Sequence, residues 1–167
     1  CIATRHNSHA KYVIASIKNN KHVFVEKPLA IKEVELENIK DVLHNSKFTT
    51  MVGFNRRFSP YIKKAKLFLS NIREPFVVNY RINAGFLPKS HWVHDPKVGG
   101  GRIIGELCHF IDLCNFVVGK SIKSFNVNSM HSNNLEKNMR DNIVVSLSYN
   151  DGSLANISYL SNGNANL

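Results

Sequence analysis

The hydrophobic pattern of the first 53 residues alternates between short apolar runs and amphipathic segments. Residues 22–25 and 49–52 are apolar runs typical of buried strands, and a strand that ends near residue 3 is predicted before them. Residues 7–19 and 31–45 carry apolar side chains at the spacing of one helix face. Strand, helix, strand, helix, strand is the order of a parallel α/β fold, which we predict for residues 1–53.

The pattern from residue 54 onward predicts a second domain, of the α+β class. Ser59 and Pro60 are typical of a helix start, and Asp151 and Gly152 predict a hairpin turn. Four segments have the apolar pattern of strands: residues 76–83, 122–130, 142–149 and 154–160. We therefore predict that residues 54–167 form an α+β domain with a mainly antiparallel open sheet, incomplete at its carboxyl end.

Residues 102–118 form the strongest predicted helix, with Gly119 at its end. Its polar side is made of Arg102, Glu106, His109 and Asp112. On an ideal α-helix the last three step by about −60° each, so they form one polar ridge. Such a ridge is either a solvated helix back or part of a site, and periodicity alone leaves both open. The three glycines at residues 99–101 favour a site, because they allow a loop to approach a ligand closely.

Composition and charge exclude few classes of function. The 22 Lys and Arg residues against 12 Asp and Glu give a net charge of +10, but they are scattered, so we predict no nucleic-acid partner. The apolar runs are too short to cross a membrane, and no basic-then-apolar leader opens the chain. Cys1, Cys108 and Cys114 show no zinc spacing, so we expect reduced thiols in a cytoplasmic protein.

Lys27 is the first candidate for chemistry, because it follows the apolar run at residues 22–25. In open parallel sheets, ligands bind beyond the carboxyl ends of the strands. A lone lysine after a strand is more often a solvated loop residue, but Glu26 and Pro28 beside it make a motif. Lys27 and His109 would make an acid–base pair across a cleft between the two domains.

Several motifs, taken in order along the chain, resemble those of one family. They include Glu-Lys-Pro at residues 26–28, Val-Gly-Phe-Asn-Arg-Arg at 52–57, His-Trp-Val-His-Asp-Pro at 91–96, and three glycines at 99–101 leading to His-Phe-Ile-Asp at 109–112. Over almost the whole chain they resemble the glucose–fructose oxidoreductase/inositol dehydrogenase/MocA (Gfo/Idh/MocA) family of nicotinamide-dependent sugar oxidoreductases. The likeness is greatest to members associated with nucleotide-sugar and surface-polysaccharide metabolism.

The resemblance implies an NAD(P)-dependent oxidoreductase that moves a hydride between nicotinamide and a hydroxyl carbon of a sugar or nucleotide sugar. Residues 1–53 would then be the carboxyl-terminal half of a Rossmann-like domain, often with a cis peptide bond before Pro28. Lys27 and His109 would be catalytic. The residues expected at the cofactor are Thr4, Asn7, His9, Glu26, Lys27, Pro28, Asn55 and Arg56. Those expected at the substrate are Lys27, Trp92, Arg102, Glu106 and His109.

Two departures from the family pattern leave a second interpretation open. Many members carry Asp four residues before the helix histidine, where this chain has Gly105, with Glu106 as a partial substitute. No Gly-x-Gly-x-x-Gly turn for a dinucleotide phosphate occurs in the chain, so the choice between NAD and NADP stays open. The alternative is a truncated, non-catalytic module that binds sugar or serves an assembly. The open sheet also predicts a homo-oligomer.

The loop at residues 84–101 holds one tryptophan and two histidines. Trp92 either stacks on a sugar ring or fills the seam between domains as core, and both interpretations stay open. His91 and His94 are metal ligands by residue type only, with no acidic or Cys partner at a suitable spacing, so we predict no metal site.

Overall fold

The computed structural model describes residues 1–130 and 141–162, which divide into two units. The first unit contains Cys1–Phe54 and Ser90–Cys108, and the second contains Asn55–Lys89 and the described part of His109–Leu167. Residues 90–108 therefore belong with the amino-terminal segment, although they follow residues 55–89 along the chain. The domain boundary between residues 53 and 54 stays a prediction.

The first unit is built on a parallel sheet and two helices. Its elements are helix α1 (His9–Lys18), strand β1 (Val23–Val25), helix α2 (Glu33–His44) and strand β2 (Thr50–Val52). β1 and β2 pair in parallel. Ile2 forms a parallel bridge to Val25, which adds a third extended segment beside β1. The parallel order predicted for the start of the chain is confirmed.

The core of the first unit consists of the apolar positions whose spacing predicted the helices and strands. Its buried residues are Ile2, Ala10, Val13, Ile17, Val23, Val25, Ala30 and Ile39. Val13 and Val25 are fully buried, and burial of each such side chain contributes about 1.5–3 kcal/mol. This packing fixes the carboxyl end of β1, and with it the point at which residues 26–28 leave the sheet.

The second segment of the first unit is mostly irregular. It contains a 3-10 helix at Trp92–His94 and a π-helix at Ile103–Leu107. Residues 102–118 are helical, as predicted, but the ideal α-helical geometry assumed for the polar ridge is wrong at Ile103–Leu107. A π-helix has more residues per turn than an α-helix, so the step assumed for the polar ridge does not apply to Glu106. Periodicity did not reveal this, because apolar spacing does not distinguish a single π turn from an α turn.

The second unit is built on a four-stranded sheet. Its elements are helix α3 (Pro60–Leu69), strand β3 (Val77–Asn83), helix α4 (Cys108–Val118, of which Cys108 belongs to the first unit), and strands β4 (Ile122–Ser129), β5 (Ile143–Tyr149) and β6 (Leu154–Leu160). The strand order is β3-β6-β5-β4. β3 runs parallel to β6, and the other two pairings are antiparallel. The prediction of a mainly antiparallel open sheet is confirmed.

One face of this sheet carries the core of the second unit. Its buried residues alternate along β5 and β6: Ile143, Val145, Leu147, Tyr149, Ala155, Ile157 and Tyr159. Phe110 of α4 packs against Tyr80 and Tyr159, with ring centroids 5.4 and 6.1 Å apart. α4 ends at Gly119, whose φ of 72° is the left-handed conformation that glycine adopts readily. These contacts fix the helix that carries His109.

Candidate active site

The motif Glu26-Lys27-Pro28 leaves the parallel sheet at the carboxyl end of β1. The backbone N–H of Glu26 donates to the carbonyl oxygen of Ile2 at 2.9 Å, so the strand pairing continues to this point. The Lys27–Pro28 peptide bond is cis, as the resemblance implies. Lys27 therefore lies at the edge where open parallel sheets bind ligands.

The side chain of Lys27 is held by the second segment of the same unit. Its Nζ atom donates a hydrogen bond of 2.9 Å to the carbonyl oxygen of Gly105, within the π-helix. An ammonium group has three N–H donors. Because the Gly105 bond uses one of them, it orients the half-buried Lys27 side chain and leaves it able to donate to a ligand as well.

A glycine at the end of β2 makes room for the carboxylate of Glu26. A Cβ atom at Gly53 would lie 3.2 Å from the carboxylate carbon and both carboxylate oxygens of Glu26. The N–H of Gly53 donates to the carbonyl oxygen of Val25 at 2.8 Å, which continues the pairing of the two strands. The carboxylate of Glu26 therefore lies across the carboxyl ends of β1 and β2.

His9 lies between the loop that contains Thr4 and the loop that contains Pro28, and it contacts both. Its side chain is fully buried. Nδ1 lies 2.7 Å from the carbonyl oxygen of Pro28, and Nε2 lies 2.9 Å from that of Thr4. A carbonyl oxygen only accepts, so both contacts are hydrogen bonds when both ring nitrogens carry protons. His9, expected at the cofactor, is thus placed to position Thr4 and Pro28 rather than to face solvent.

Thr4 and Asn7 lie in the loop that follows the first extended segment, and both are exposed. The hydroxyl oxygen of Thr4 lies 2.6 Å from that of Ser8. The backbone N–H of Asn7 donates to the carbonyl oxygen of Val98 at 3.1 Å, and the residue is exposed. These two expected cofactor residues offer a hydroxyl and an amide at the same edge as Lys27.

His6 is a buried histidine of this edge that the sequence analysis did not select. Its Nδ1 lies 2.8 Å from the carbonyl oxygen of Gly99. Trp92 meets the His6 ring edge-on, with centroids 4.7 Å apart, and the guanidinium of Arg5 lies 5.6 Å from the Trp92 ring. Within this unit Trp92 therefore packs on His6 and Arg5, and its role toward a substrate stays a prediction.

The glycines at residues 99–101 shape the loop around Val93. A Cβ atom at Gly99 would lie 2.4 Å from the Cα and the carbonyl oxygen of Val93, which only glycine avoids. Gly100 and Gly101 have φ angles of 75° and 89°. Of the three, Gly99 makes a close approach to the protein's own backbone, and its carbonyl oxygen lies against His6.

Arg102 and Glu106, expected at the substrate, are paired with each other. Arg102 Nε and Nη2 donate to the two carboxylate oxygens of Glu106 at 2.9 and 3.0 Å. The side chain of Arg102 is 3% exposed and that of Glu106 is 26% exposed. The interpretation of these two residues as a solvent-exposed helix face is therefore wrong. The Glu106 carboxylate is held by Arg102, which limits how far it can substitute for an acid at residue 105.

The second unit holds the remaining candidates. His109 lies in the first turn of α4, half-buried, with its ring 6.4 Å from that of Phe110. Asn55 and Arg56 are exposed in a 3-10 helix, and the Arg56 guanidinium lies 4.7 Å from the centre of the Phe110 ring. Asn55 and Arg56 are therefore accessible in this unit, and their expected cofactor contacts stay a prediction.

Arg57 is a second residue that sequence reasoning missed. Its Nε and Nη2 donate to both carboxylate oxygens of Asp112, a bidentate ion pair. The hydrogen bonds to Asp112 raise the pKa of Arg57. The sequence shows two adjacent arginines, Arg56 and Arg57, and does not say which of them forms an ion pair. The structure shows that Arg57 binds Asp112 of α4, whereas Arg56 is exposed.

Two kinds of feature are not found in the part of the chain that the structure describes. No helix among residues 1–130 and 141–162 is long and apolar enough to cross a membrane. In the same ranges, no three His, Cys, Asp or Glu side chains are grouped to hold a metal ion.

Two sequence models of one oxidoreductase family match this chain. The model of its NAD-binding Rossmann fold matches residues 1–54, and the model of its C-terminal alpha/beta domain matches residues 66–166. The chain belongs to the Gfo/Idh/MocA oxidoreductase family. The resemblance drawn from the motifs is confirmed, and so is the Rossmann-like character of the first strands and helices.

Named proteins of this family resemble the chain in sequence and in fold. Myo-inositol 2-dehydrogenase of Thermotoga maritima is 29% identical over 119 residues, which cover 70% of this chain and 35% of that protein. The crystal structure of an NAD-binding protein from Listeria innocua matches with a TM-score of 0.77 at 28% identity, over 96% of this chain and 48% of that one. A structure of levoglucosan dehydrogenase in complex with NADH and levoglucosan has a TM-score of 0.79 at 22% identity, over 98% and 48%.

The lengths of these Gfo/Idh/MocA proteins differ from that of the present chain. The aligned parts cover 35%, 44% and 32% of three curated relatives, so the chain spans less than half the length of the curated relatives it matches.

Proposed function

We propose that the protein containing this chain is an NAD-dependent dehydrogenase that transfers a hydride between nicotinamide and a hydroxyl carbon of a polyol or sugar. The placement of Lys27 carries the proposal: it lies two residues after the last residue of β1, and its Nζ is held by the Gly105 carbonyl at 2.9 Å. Oxidation of an alcohol needs a group that takes the hydroxyl proton, and a positioned lysine or histidine serves. Family membership supports the same reaction class.

The residues at the carboxyl edge of the parallel sheet fit the nicotinamide end of a dinucleotide. Thr4, Asn7 and Lys27 offer a hydroxyl, an amide and an ammonium group there, which suit ribose hydroxyls and a carboxamide. We assign these residues to the cofactor, together with Glu26, Pro28, Asn55 and Arg56, and we assign His9 to holding the edge. NAD, when bound, supplies the hydride acceptor. NADP is the second candidate, since the chain has no Gly-x-Gly-x-x-Gly turn to assign to the phosphates.

The chain's own residues would divide the proton chemistry between them. Lys27 orients the reacting hydroxyl and stabilises negative charge on its oxygen. His109 takes the proton, which a neutral imidazole does near neutral pH. Trp92 supplies an aromatic face for a sugar ring, and the paired Arg102 and Glu106 complete the substrate side. Each of these roles is part of the proposal.

Cyclic polyols and anhydrosugars are the first substrate class that we propose. Relatives of this chain are named myo-inositol 2-dehydrogenase and levoglucosan dehydrogenase. Nucleotide sugars are the second class, because the motifs of this chain resemble most those of family members associated with nucleotide-sugar metabolism.

The test is a binding and turnover experiment on this chain and on the whole protein that contains it. NADH is titrated while the emission of Trp92, the one tryptophan in the sequence, is followed with nicotinamide fluorescence. NADH formation from NAD⁺ is then measured with myo-inositol, scyllo-inositol, levoglucosan and a UDP-sugar. We expect saturable binding and turnover of at least one compound by the whole protein. A folded whole protein that binds no NADH and oxidises none of them would support the non-catalytic alternative.

We also propose that the protein is a homo-oligomer that pairs through the outer face of its four-stranded sheet. Val77 and Leu154 lie opposite each other on that face and are 56% and 40% exposed. Val144, on the same face of β5, is 41% exposed. Light scattering after gel filtration of the wild type and of Leu154→Asp tests this: the wild type should be larger than a monomer and the variant smaller than the wild type. A monomeric wild type would exclude the pairing.

A reducing compartment, the cytoplasm, is the location that we propose. Cys1, Cys108 and Cys114 are all free thiols, as is usual in reducing compartments. Cell fractionation with an antibody to the protein tests this, and recovery from an oxidising compartment would contradict it.

A further inference from the structure

His6 and Lys27 contact the same residue, Gly105, from different elements of the first unit. Lys27 Nζ donates to the Gly105 carbonyl oxygen at 2.9 Å. The His6 ring lies against the Cα of Gly105, since a Cβ atom built there would be 2.9 Å from His6 Cε1. Any side chain at residue 105 would therefore displace the His6 ring. Gly105 therefore makes room for the His6 ring, and its carbonyl oxygen also holds Lys27.

The protonation pattern of His6 follows from its hydrogen bond. The Gly99 carbonyl oxygen, 2.8 Å from His6 Nδ1, can only accept, so Nδ1 carries the proton. In the neutral ring Nε2 then has a lone pair. Nε2 has no hydrogen-bond partner among residues 1–130 and 141–162 of the described chain. His6 thus offers an acceptor nitrogen, next to Cε1, at an edge where Lys27 offers a donor.

The charges around His6 favour the neutral ring. Burial lowers the pKa of His6 most, and the nearby charges of Lys27 and His9 lower it further. The hydrogen bond to Gly99 and the charge of Glu106 act in the opposite direction without reversing the shift. Arg5, whose guanidinium lies over Trp92, and His91, whose ring lies 5.7 Å from that of Trp92, are further ionisable groups beside this cluster. At neutral pH His6 is therefore uncharged and able to accept a hydrogen bond.

We propose that His6 is a further substrate-binding residue, whose Nε2 accepts a hydrogen bond from a substrate hydroxyl next to the hydroxyl that Lys27 engages. This inference rests on the dehydrogenase function proposed above and specifies its substrate. A lysine that donates and a histidine that accepts suit two neighbouring hydroxyl groups of a polyhydroxylated ring. The site would then discriminate against analogues that lack the second hydroxyl, because Nε2 would be left without a donor.

Two conservative variants separate this role from a structural one. His6→Asn keeps a side-chain N–H near the position of Nδ1, and so can keep the bond to Gly99, but it loses the acceptor at Nε2. His6→Gln places a carbonyl oxygen near the position of Nε2 and loses the Nδ1 donor. If His6 binds substrate, His6→Asn raises KM by about tenfold to a hundredfold, while His6→Gln stays close to the wild type. If His6 only supports the loop, the order of the two variants is reversed.

The pH profile is the second readout of the same experiment. In the wild type, kcat/KM falls as the pH drops through the lowered pKa of His6, below the ordinary value of 6.5, because the protonated ring cannot accept a hydrogen bond. His109, the proposed base, must also be neutral to take the proton, so it adds to the same acid limb. The Gln side chain does not titrate, so the acid limb of His6→Gln should reflect one ionisation fewer and be less steep than that of the wild type. The measurements use the whole protein with NAD⁺ and myo-inositol, scyllo-inositol or levoglucosan. Wild-type kinetics from His6→Asn, or an unchanged acid limb in His6→Gln, would overturn the proposal.

Tryptophan emission gives a readout that does not depend on turnover. The protonated imidazole of His6, 4.7 Å from the Trp92 ring, should quench its fluorescence. The His91 ring lies 5.7 Å from that of Trp92 and can quench it as well, so the pH-dependent emission that is lost in His6→Gln is the part that reports His6. A polyol that donates to Nε2 stabilises the neutral ring and shifts the midpoint of this titration to lower pH. The shift should be absent in His6→Asn and His6→Gln. If the proposed dehydrogenase function fails but the shift occurs, His6 still binds a polyol. If none of the three compounds moves the midpoint in the wild type, the His6 proposal is overturned.

Discussion

The ammonium group of Lys27 donates a hydrogen bond of 2.9 Å to the carbonyl oxygen of Gly105. The two residues lie 78 positions apart in the chain but within the same unit. Gly105 belongs to a π-helix, a form that occurs frequently at functional sites. The bond gives a flexible side chain one orientation at the carboxyl end of β1, which is what a residue that positions a substrate needs.

Replacing Lys27 by methionine should abolish most turnover and leave the fold intact. Met keeps the length of the side chain and removes its charge and N–H donors. Loss of one positioned donor that stabilises charge on a reacting oxygen typically lowers kcat by about a hundredfold to a thousandfold, so kcat should fall by that order. Since the side chain makes one hydrogen bond to the described protein, the melting temperature should change little. Steady-state NADH formation and thermal circular dichroism measure the two effects.

Lys21→Met is the matched control for this experiment. Lys21 precedes the same strand and is exposed, and the substitution makes the same change of charge. Its kcat should equal that of the wild type. Full activity of Lys27→Met would remove Lys27 from the proposed chemistry, and an equal loss in both variants would assign the effect to net charge.

Local patterns predicted most of the fold. β6 occupies the predicted residues 154–160, and β5 begins at Ile143, one residue after the predicted start. Alternation along these strands was readable because one face is buried and the other is not. Helix α1 begins at His9 rather than at residue 7, because His6–Ser8 form a 3-10 turn. Such ends depend on single backbone hydrogen bonds, which apolar spacing does not encode.

The candidate site was predictable where a motif lay at a strand end. Lys27 was found because Glu26 and Pro28 surround it after a buried run. His6 was not found, because the hydrogen bond that places it reaches Gly99, 93 residues away. The π turn at Ile103–Leu107 was not predicted, because apolar spacing does not distinguish a single π turn from an α turn.

Gly99→Ala should destabilise the first unit. A methyl group there would lie 2.4 Å from the backbone of Val93, and backbone atoms cannot rotate away as a side chain does. Overpacking of this kind costs about 1–3 kcal/mol. Gly53→Ala is the control, because the atoms nearest to its methyl group belong to the flexible carboxylate of Glu26, at 3.2 Å. Thermal and urea unfolding measure the difference, and equal stability of the two variants would show that the Val93 loop can move.

Loss of either partner of the Arg57–Asp112 ion pair should destabilise the second unit, and loss of Arg57 should cost more than loss of Asp112. The Asp112 side chain is 9% exposed and that of Arg57 is 38% exposed. Arg57→Met leaves a buried carboxylate without its partner and should destabilise by about 1–3 kcal/mol, less than for a fully buried pair because Arg57 is partly hydrated. Asp112→Asn leaves the guanidinium free to rehydrate and should cost less.

A double-mutant cycle of Arg57→Met and Asp112→Asn gives the coupling between the two side chains. The exposed pair Lys40–Glu37 is the control, since its side chains are 75% and 61% exposed, and Glu37→Gln should change stability very little. A coupling free energy of zero would contradict the prediction, because it would mean that the contact between Arg57 and Asp112 does not stabilise the protein.

Alkaline solution should weaken the second unit through Cys114. Burial raises the pKa of this thiol from 9.0 to about 11, so the unfolded chain loses the thiol proton at a lower pH than the folded one. The stabilisation is complete below pH 9 and is lost as the pH rises to 11, by about 2–3 kcal/mol in total. Burial also raises the pKa of Tyr149, which extends the loss to higher pH. The measurement is urea unfolding at a series of pH values. Cys114→Ser lacks the buried thiol, so its free energy of unfolding should fall less at alkaline pH than that of the wild type. Cys1→Ser is the control and should show the full loss, because Cys1 is exposed. Identical pH dependence in the wild type and Cys114→Ser would contradict this assignment.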